Sequence, residues 1–314
     1  MKHRNSYLIV FSIVIFIALL CMHLFFMQQG NYTDEDLIFW EFKVPRLLSA
    51  ILAGAGLSLS GLLMQNLFQN PMAGPYVLGI NSGASMFMAL LLLGITPTFN
   101  DLSYVGGAMI GAFVSAILMF VISKRVQNMQ SLLVIGLMLA SFMGAFESVL
   151  QTFAAPEQIK QLYIWNMGSL QQLSAAQAPW FALIVLIGIA LSLWVVKGLN
   201  ALIVGEFHAN QLGISVPKVR MLILFVTALL AGSTTAFCGP IAFVGLAIPN
   251  LARALLKTQD HLILILFTVF IGSSFLLAID ILILVLDPWM GLPLNVLTAV
   301  FGAPYVAYLM LKKK

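Results

Sequence analysis

Long apolar runs follow one another along almost the entire chain, and they constrain the fold more than any other feature. Of the 314 residues, 61% are hydrophobic and 8% are charged, whereas about 25% of the residues of a soluble domain are charged. A helix needs ~20 apolar residues to cross the ~30 Å hydrocarbon core of a bilayer. The sequence therefore predicts an all-α polytopic membrane protein, a single transmembrane domain over residues 1–314 with no room for a separate soluble domain.

Ten membrane spans account for the apolar runs. We place them at residues 7–27, 46–65, 80–95, 102–123, 129–151, 179–196, 218–237, within 239–253, at 261–286 and at 294–311. The first run is long and no small-x-small cleavage site follows it, so we interpret it as a retained span. The eighth is short and broken by Pro240, Gly245 and Pro249. Because such backbone is tolerated at membrane depth only against protein or a water-filled cavity, this segment is a candidate wall of a pathway.

Small residues recur every four positions in the second and fourth spans. They are Ala50, Gly54 and Ser58, with Gly61 on a neighbouring stripe, and Gly107, Gly111 and Ser115. Small residues at this spacing let helix backbones approach closely in lipid. We therefore expect the second span to lie inside the helix bundle.

Basic residues are distributed unevenly between the two sides that ten spans define. One side carries twelve: Lys2, Arg4, Lys124, Arg125, Lys197, Lys218, Arg220, Arg253, Lys257 and Lys312 to Lys314. The other side carries three: Lys43, Arg46 and Lys160. The excess of basic residues marks the cytoplasmic side, so both termini and the segment around residue 210 are predicted to be cytoplasmic. The net charge of +4 reflects these span ends and does not indicate nucleic-acid binding.

Residues 200–220 form the main polar interruption, NALIVGEFHANQLGISVPKVR. Its core has the pattern Gly205-Glu206-x-x-Ala209-x-x-Leu212-Gly213. Taken alone, the segment is either an ordinary solvated loop or an organised docking element, and the residues leave both interpretations open.

The chain lacks the patterns expected of an enzyme. It has no GxxxxGK[ST] nucleotide-binding loop, and its two cysteines and four scattered histidines have no metal-ligand spacing. No Ser-His-Asp or paired-carboxylate arrangement suggests catalysis. We expect a non-catalytic chain that itself binds no metal or cofactor.

Two carboxylates lie inside predicted spans, Glu147 in the fifth and Asp280 in the ninth. Intramembrane carboxylates are rare and mark either a transport pathway or a paired charge. On the outer side, Lys43 and Arg46 are either neutralised by the neighbouring acidic run or form a docking patch for an acidic soluble partner.

Several motifs, taken in order, resemble the permeases of iron–siderophore, haem and vitamin B12 ABC importers, the FecCD-type family. They are Lys43-Val-Pro-Arg46, Asn70-Pro71-Met72-Ala73-Gly74-Pro75, Trp165-Asn166-Met167-Gly168, the 205–213 pattern, Gly239-Pro240 through Pro249-Asn250-x-x-Arg253, and Gly302-Ala303-Pro304. The resemblance covers nearly the whole chain.

The resemblance implies ten helices in a B12-permease-like (type II ABC importer) fold. It also implies a pair of permeases around a central pathway, a cytoplasmic ATPase dimer that binds ATP, and a periplasmic or lipid-anchored substrate-binding protein. The cytoplasmic coupling loop would cover about residues 198–218, with Gly205, Glu206, Ala209, Leu212 and Gly213 contacting the ATPase.

Further roles follow from the same resemblance. Lys43 and Arg46 match the basic pair that meets the binding protein. Pathway or gate roles fall to Trp165, Met167, Gly168, Pro249 and Asn250, and the loops at 123–129 and 152–166 correspond to the inner and outer gates. Glu147 has no counterpart in the family and is a pathway candidate as an intramembrane carboxylate. The sequence departs from the family where Asn250 replaces a usual His, Asn295 replaces a frequent Gly, and Leu284 replaces a common basic residue.

The resulting hypothesis is the permease subunit of an importer of an iron chelate, a ferric siderophore or haem, in the bacterial inner membrane. Two alternatives remain at this point. One is a cobalamin importer of the same family. The other is a self-sufficient proton-coupled carrier that uses Glu147 and Asp280.

Overall fold

The computed structural model describes residues 2–28, 38–94, 101–126, 128–290 and 292–312, and in these ranges the chain is helical without strands. The α-helices are α1 Lys2–Gln28, α2 Val44–Leu67, α3 Ile80–Gly94, α4 Asp101–Ser123, α5 Met129–Thr152, α6 Pro156–Asn166, α7 Ala178–Val204, α8 Glu206–Gln211, α9 Val216–Cys238, α10 Val244–Leu256, α11 His261–Met290 and α12 Leu294–Lys312. A π-helical turn, Phe39–Lys43, leads directly into α2, and a 3₁₀ turn, Pro75–Leu78, precedes α3.

Each predicted span corresponds to one of these helices. Within the described ranges, seven helices are long and apolar enough to cross a membrane, and α3, α10 and α12 are shorter apolar helices. The helices α6 and α8 lie in segments that were predicted to be loops. Hydropathy identifies spans but does not detect short helices outside them, because these need no long apolar run.

Helix α2 forms the centre of the bundle, as the small-residue spacing predicted. In the span that contains it, 89% of the apolar window is buried, against 11% in α1 and 17% in α5. A Cβ on Gly54 would overlap the backbone of Gly272 in α11, and a Cβ on Gly61 would overlap the backbone of Gly245 in α10. These two crossings bring helix backbones into direct contact.

The second predicted stripe has the same role in α4. A Cβ on Gly111 would overlap the carbonyl group of Gly83 in α3, and Ser115 is fully buried. The prediction of close packing through α4 is confirmed.

Polar contacts define which helix ends lie together. The end of α2 meets the end of α10 through Gln65 and Arg253, and the end of α7 meets the start of α11 through Asn200 and His261. We call this the basic end, because it gathers the described cations Lys124, Arg125, Lys197, Lys218, Arg220, Arg253 and Lys257. At the opposite end, the start of α2 meets α1 and α11.

The polar connection at the basic end is shorter than predicted. Helix α7 continues to Val204, past the predicted end at residue 196, and α9 begins at Val216. The connection is therefore 205–215 with α8 inside it, not 198–218. Lys197 suggested a helix end, but Ala201 and Leu202 continue the apolar face and pack against Val216.

Candidate functional site

The connection at the basic end is a short helix, α8, held between two glycines of unusual backbone conformation. Gly205 has φ +115° and Gly213 has φ +76°, and a Cβ at either position would meet no atom within 4 Å. The requirement for glycine is therefore conformational, because residues with a Cβ rarely adopt positive φ. The two glycines set the direction in which α8 leaves and rejoins the bundle.

The inner face of α8 is anchored on the bundle. Ala209 is fully buried and clusters with Ala201, Leu202 and Val216. The carboxylate of Glu206 accepts a hydrogen bond from the guanidinium of Arg220 in α9. Ala209 and Glu206 thus hold α8 against α7 and α9.

The outer face of α8, which includes Leu212 at the C-terminal end of the helix, presents apolar side chains. Phe207 and Leu212 are each 71% exposed, and His208, Asn210 and Gln211 are exposed beside them. Of the five residues predicted to contact an ATPase, only Leu212 projects a large exposed apolar side chain; the Glu206 side chain is 50% exposed and is bound to Arg220. Phe207 was missed, and its signal was available: an aromatic residue next to Glu206 in an otherwise polar turn.

At the opposite end, a buried carboxylate joins three helices. Asp280 of α11 accepts hydrogen bonds from Arg46 of α2, from Nε to Oδ2 at 2.9 Å and from Nη2 to Oδ1 at 2.8 Å. The Nε2 of His23 in α1 lies 2.7 Å from Oδ2 of Asp280. The side chains of His23 and Asp280 are 0% and 1% exposed, so both are almost completely removed from solvent.

The two residues predicted to dock a binding protein, Lys43 and Arg46, differ in their exposure. The Arg46 side chain is only 12% exposed and is held by Asp280, while Lys43, one turn earlier, is partly exposed. Arg46 and Asp280 also line a cavity of about 240 Å³ with Met167, Gly168 and Leu292. The sequence did not indicate that His23 belongs to this cluster, because its partner lies 257 residues away.

The segment after α6 is folded tightly against the start of α12. Trp165 is buried, Gly168 has φ +69°, and a Cβ on Gly168 would lie 2.8 Å from the carbonyl oxygen of Pro240. The side chain of Asn295 accepts a hydrogen bond from the backbone N–H of Ala242 at 2.9 Å and donates to the carbonyl oxygens of Pro240 and Asn166, at 2.8 and 3.2 Å. Asn295, one of the departures from the family pattern, thus joins three segments.

Glu147 belongs to the same region but has its own partners. Its Oε1 accepts hydrogen bonds from Gln151 at 3.1 Å and from Asn166 at 3.4 Å. Asn166 in turn accepts a hydrogen bond from Ser85 of α3 at 3.1 Å. Glu147 therefore connects α5 to the end of α6, whereas Asp280 connects α1, α2 and α11.

Pro249 and Asn250 lie toward the basic end, away from Trp165 and Gly168. Asn250 donates to the carbonyl oxygens of Pro71 at 2.8 Å and Leu246 at 2.9 Å. Pro249 is buried inside α10. The predicted gate residues consequently form two groups, one at each end of the bundle.

Comparison with known proteins identifies the family. The model of the FecCD transport family matches residues 6–312. The chain belongs to the FecCD transport family. FecCD proteins similar to it include the vitamin B12 import system permease BtuC of Vibrio cholerae, 32% identical over 98% of this chain and 94% of the relative. The hemin transport permease HmuU of Yersinia pestis is 32% identical over 88% of this chain and 84% of the relative.

A third FecCD relative and a solved structure extend the comparison. The iron(3+)-hydroxamate import permease FhuG of Bacillus subtilis is 33% identical over 91% of this chain and 87% of the relative. A structure described as an inward-facing metal-chelate-type ABC transporter matches with a TM-score of 0.88 at 26% identity, covering 98% of this chain and 99% of that chain. The FecCD chain is thus a multi-pass membrane permease of the type II ABC importer class, with relatives named for different cargoes.

Proposed function

We propose that this chain is the membrane-spanning subunit of a bacterial inner-membrane ABC importer that takes up an iron chelate, a ferric siderophore or haem. In this proposal two copies pair around the pathway, a cytoplasmic ATPase dimer supplies ATP hydrolysis, and a periplasmic or lipid-anchored binding protein delivers cargo. The chain itself performs no covalent chemistry. The observation that carries the proposal is the outer face of α8, an exposed apolar surface on a rigidly anchored helix.

The geometry of α8 suits transmission of movement from a soluble partner. Phe207 and Leu212 are exposed at 71% each, and large apolar side chains inserted in a partner's pocket contribute most of the affinity of such interfaces. Glu206 and Ala209 fix the same helix to α9 and α7. A displacement of the bound ATPase would therefore move α7 and α9 as rigid bodies.

The orientation of the chain follows from its charges. The basic end carries α8, and cytoplasmic loops are enriched in Lys and Arg. We therefore assign the basic end and both termini to the cytoplasm. The opposite end then meets the binding protein, with Lys43 as the basic residue positioned for docking, and the Trp165–Gly168 turn forms the outer gate. Pro249 and Asn250 belong to the inner gate.

The second copy would pair mainly along α5. This helix leaves a large part of its surface uncovered, including Val134, Met138 and Phe142. The hydroxyl groups of Ser141 and Ser148 are also exposed on it and donate to the carbonyl oxygens of Leu137 and Gly144, at 2.9 and 3.0 Å. A pathway wall of apolar side chains and hydroxyl oxygens is compatible with a bulky cargo that is part apolar and part polar.

Cobalamin is the second candidate cargo. It is favoured by the vitamin B12 permease of Vibrio cholerae, whose similarity extends over 98% of this chain. The hemin and hydroxamate relatives match at 32% and 33% identity, so identity does not separate the cargoes. Uptake assays with each compound distinguish the candidate cargoes.

Replacement of both exposed apolar residues of α8 tests the proposal. We expect Phe207→Ala with Leu212→Ala to weaken association with the ATPase by at least ~30-fold, since truncation of interface anchors costs ~2 kcal/mol or more. Co-purification from native membranes and uptake of labelled ferric siderophore, haem and cobalamin are the measurements. Asn210→Ala, an exposed change on the same helix, is the matched control and should leave both unchanged.

Two results would contradict the proposal. One is an ATPase that remains bound to the double variant with unchanged affinity. The other is a wild-type chain that purifies alone and still drives uptake in proton-loaded vesicles.

A further inference from the structure

A groove lies between α4 and α9 on the basic half of the bundle. Its volume is about 210 Å³, and every side chain that lines it is apolar. Ala116 and Ala228 form its floor, being 6% and 0% exposed, while Ile117 and Phe225 stand at its rim, 59% and 48% exposed. The groove is therefore open to the membrane along its length and closed beneath.

The crossing of the two helices explains why the groove exists. A Cβ on Gly232 of α9 would lie 2.9 Å from the Cβ of Ala112 in α4, so the backbones touch there. One turn nearer the basic end, the facing residues are Ala116 and Ala228, four positions from Ala112 and Gly232 respectively. Their methyl groups are too small to fill the space that opens beyond the crossing, and the large neighbours flank it instead.

The groove is shorter than the hydrocarbon thickness of one lipid leaflet and lies within it. Its residues on α4 extend from position 113 to position 120, about 10 Å at ~1.5 Å per residue. The hydrocarbon core is ~30 Å thick, so each leaflet contributes ~15 Å. The groove thus covers roughly two thirds of a leaflet beside the basic end.

Three exposed cations lie at the basic ends of the two helices that form the groove. Lys124 and Arg125 follow the last residue of α4, and Lys218 lies in the first turn of α9. The Nζ of Lys124 lies 4.4 Å from the centre of the Phe120 ring, and Phe120 lines the groove. Positive charge is therefore located at headgroup depth, in contact with the wall of an apolar slot.

We propose that this groove binds an acyl chain of an anionic phospholipid, with the lipid phosphate held by Lys124, Arg125 and Lys218. Anionic headgroups are attracted to clusters of Lys and Arg beside a membrane span, and the apolar slot accepts a hydrocarbon chain. A second copy of this protein would cover the apolar slot but leave the three cations without counter-charges. Binding depends on neither the cargo nor the ATPase, so it does not rest on the proposed transport function.

Lipid binding to the purified, delipidated protein tests the inference. The probes are phosphatidylglycerol and phosphatidylcholine with identical acyl chains, each carrying a photoreactive diazirine, measured by native mass spectrometry and by mapping of crosslinks. We expect phosphatidylglycerol to bind at least 10-fold more tightly and to crosslink to residues 113–120 and 221–228. Equal binding of both lipids, or crosslinks confined to other helices, would overturn the proposal.

Charge variants identify the headgroup site. Lys124→Gln with Arg125→Gln should weaken phosphatidylglycerol binding about 5-fold for each removed charge and leave phosphatidylcholine unaffected. Both side chains are exposed, so the fold is not at risk. Lys197→Gln, an exposed change at the same end on α7, is the matched control and should have no effect; an equal loss in the control would refute a localised site.

Two further variants test the slot. Ala116→Leu should reduce binding of both lipids by filling the floor, and unchanged binding would contradict the inference. Ile117→Cys, in a Cys21→Ser background, tests for a protein occupant at the rim. We expect no disulfide between copies, and efficient formation of one would show that a second copy covers the groove.

Discussion

The two ends of the bundle use their polar and apolar residues in opposite ways. At the basic end, the buried Ala209 and the ion pair of Glu206 with Arg220 hold α8 against the bundle, while Phe207 and Leu212 are exposed. At the opposite end, the charged residues Arg46 and Asp280 are buried against each other. One end is a scaffold that presents an apolar surface, and the other is a set of helices fixed together by buried charge.

The contrast shows that the residues of a sequence motif and the residues exposed to a partner protein can be different residues. The two glycines, Glu206 and the buried Ala209 of the 205–213 pattern shape and anchor α8, while Phe207 and Leu212 are exposed. A buried ion pair has the reverse property: its members are visible as charges in the sequence, yet they are unavailable to a soluble partner. Charge in an apolar chain therefore indicates docking only if it is exposed.

The largest expected effect is on the buried cluster at the opposite end. Asp280→Ala would leave the largely buried guanidinium of Arg46 without its counter-charge and remove the partner of His23. Loss of one member of a buried pair costs ~3–5 kcal/mol. Unfolding of the purified protein by denaturant in mild detergent measures the change.

The double variant Asp280→Ala with Arg46→Leu is the control for this prediction. Because it removes both charges, we expect it to recover at least half of the lost stability. If Asp280→Ala alone cost less than ~1 kcal/mol, the contrast between a charged, buried end and an apolar, exposed end would not hold energetically.

Hydropathy and motif spacing predicted the ten spans, the central position of α2 and the segment that contains α8. They missed Phe207: an aromatic residue beside Glu206 was visible in the sequence, but hydropathy does not show which face of a six-residue helix points outward. They also missed Asn295 and His23, whose roles depend on partners 53 to 257 residues away in sequence. The local hydropathy pattern is sufficient to predict the helices, whereas the polar contacts between helices can be identified only from their packing.

The helices that connect the two ends should be sensitive to added volume at their crossings. Gly61→Ala would place a methyl group in the backbone of Gly245 and force α2 away from α10. Overpacking of this kind costs ~1–3 kcal/mol. Thermal unfolding in detergent should show a lower midpoint, together with weaker protection of α10 from hydrogen exchange.

Gly106→Ala is the matched control for the crossing. A Cβ at Gly106 of α4 would meet no atom within 4 Å, and alanine is favoured over glycine inside a helix by ~0.5–1 kcal/mol. We therefore expect a neutral or slightly stabilising change. Equal destabilisation by both variants would contradict the assignment of the effect to backbone contact at Gly61, because Gly106 has no such contact.

The smallest expected effect concerns Glu147. Gln151 and Asn166 both donate to the same oxygen, Oε1, and a glutamine side chain keeps an acceptor oxygen in that position. Glu147→Gln should therefore preserve the connection between α5 and α6 and leave ATP-dependent uptake within about twofold, a change of less than ~0.5 kcal/mol. Glu147→Ala removes the acceptor and should lower stability by ~1 kcal/mol.

Glu147→Gln also separates the importer from a proton-coupled carrier. A carrier that moves protons through Glu147 loses its titratable group in this variant, and uptake would stop although the fold is intact. In the proposed importer the carboxylate serves to position Asn166, for which hydrogen bonding is sufficient and charge is not required. Uptake that survives in Glu147→Gln but declines in Glu147→Ala would assign Glu147 to the positioning of the outer turn, which places both intramembrane carboxylates among the contacts that hold helices together.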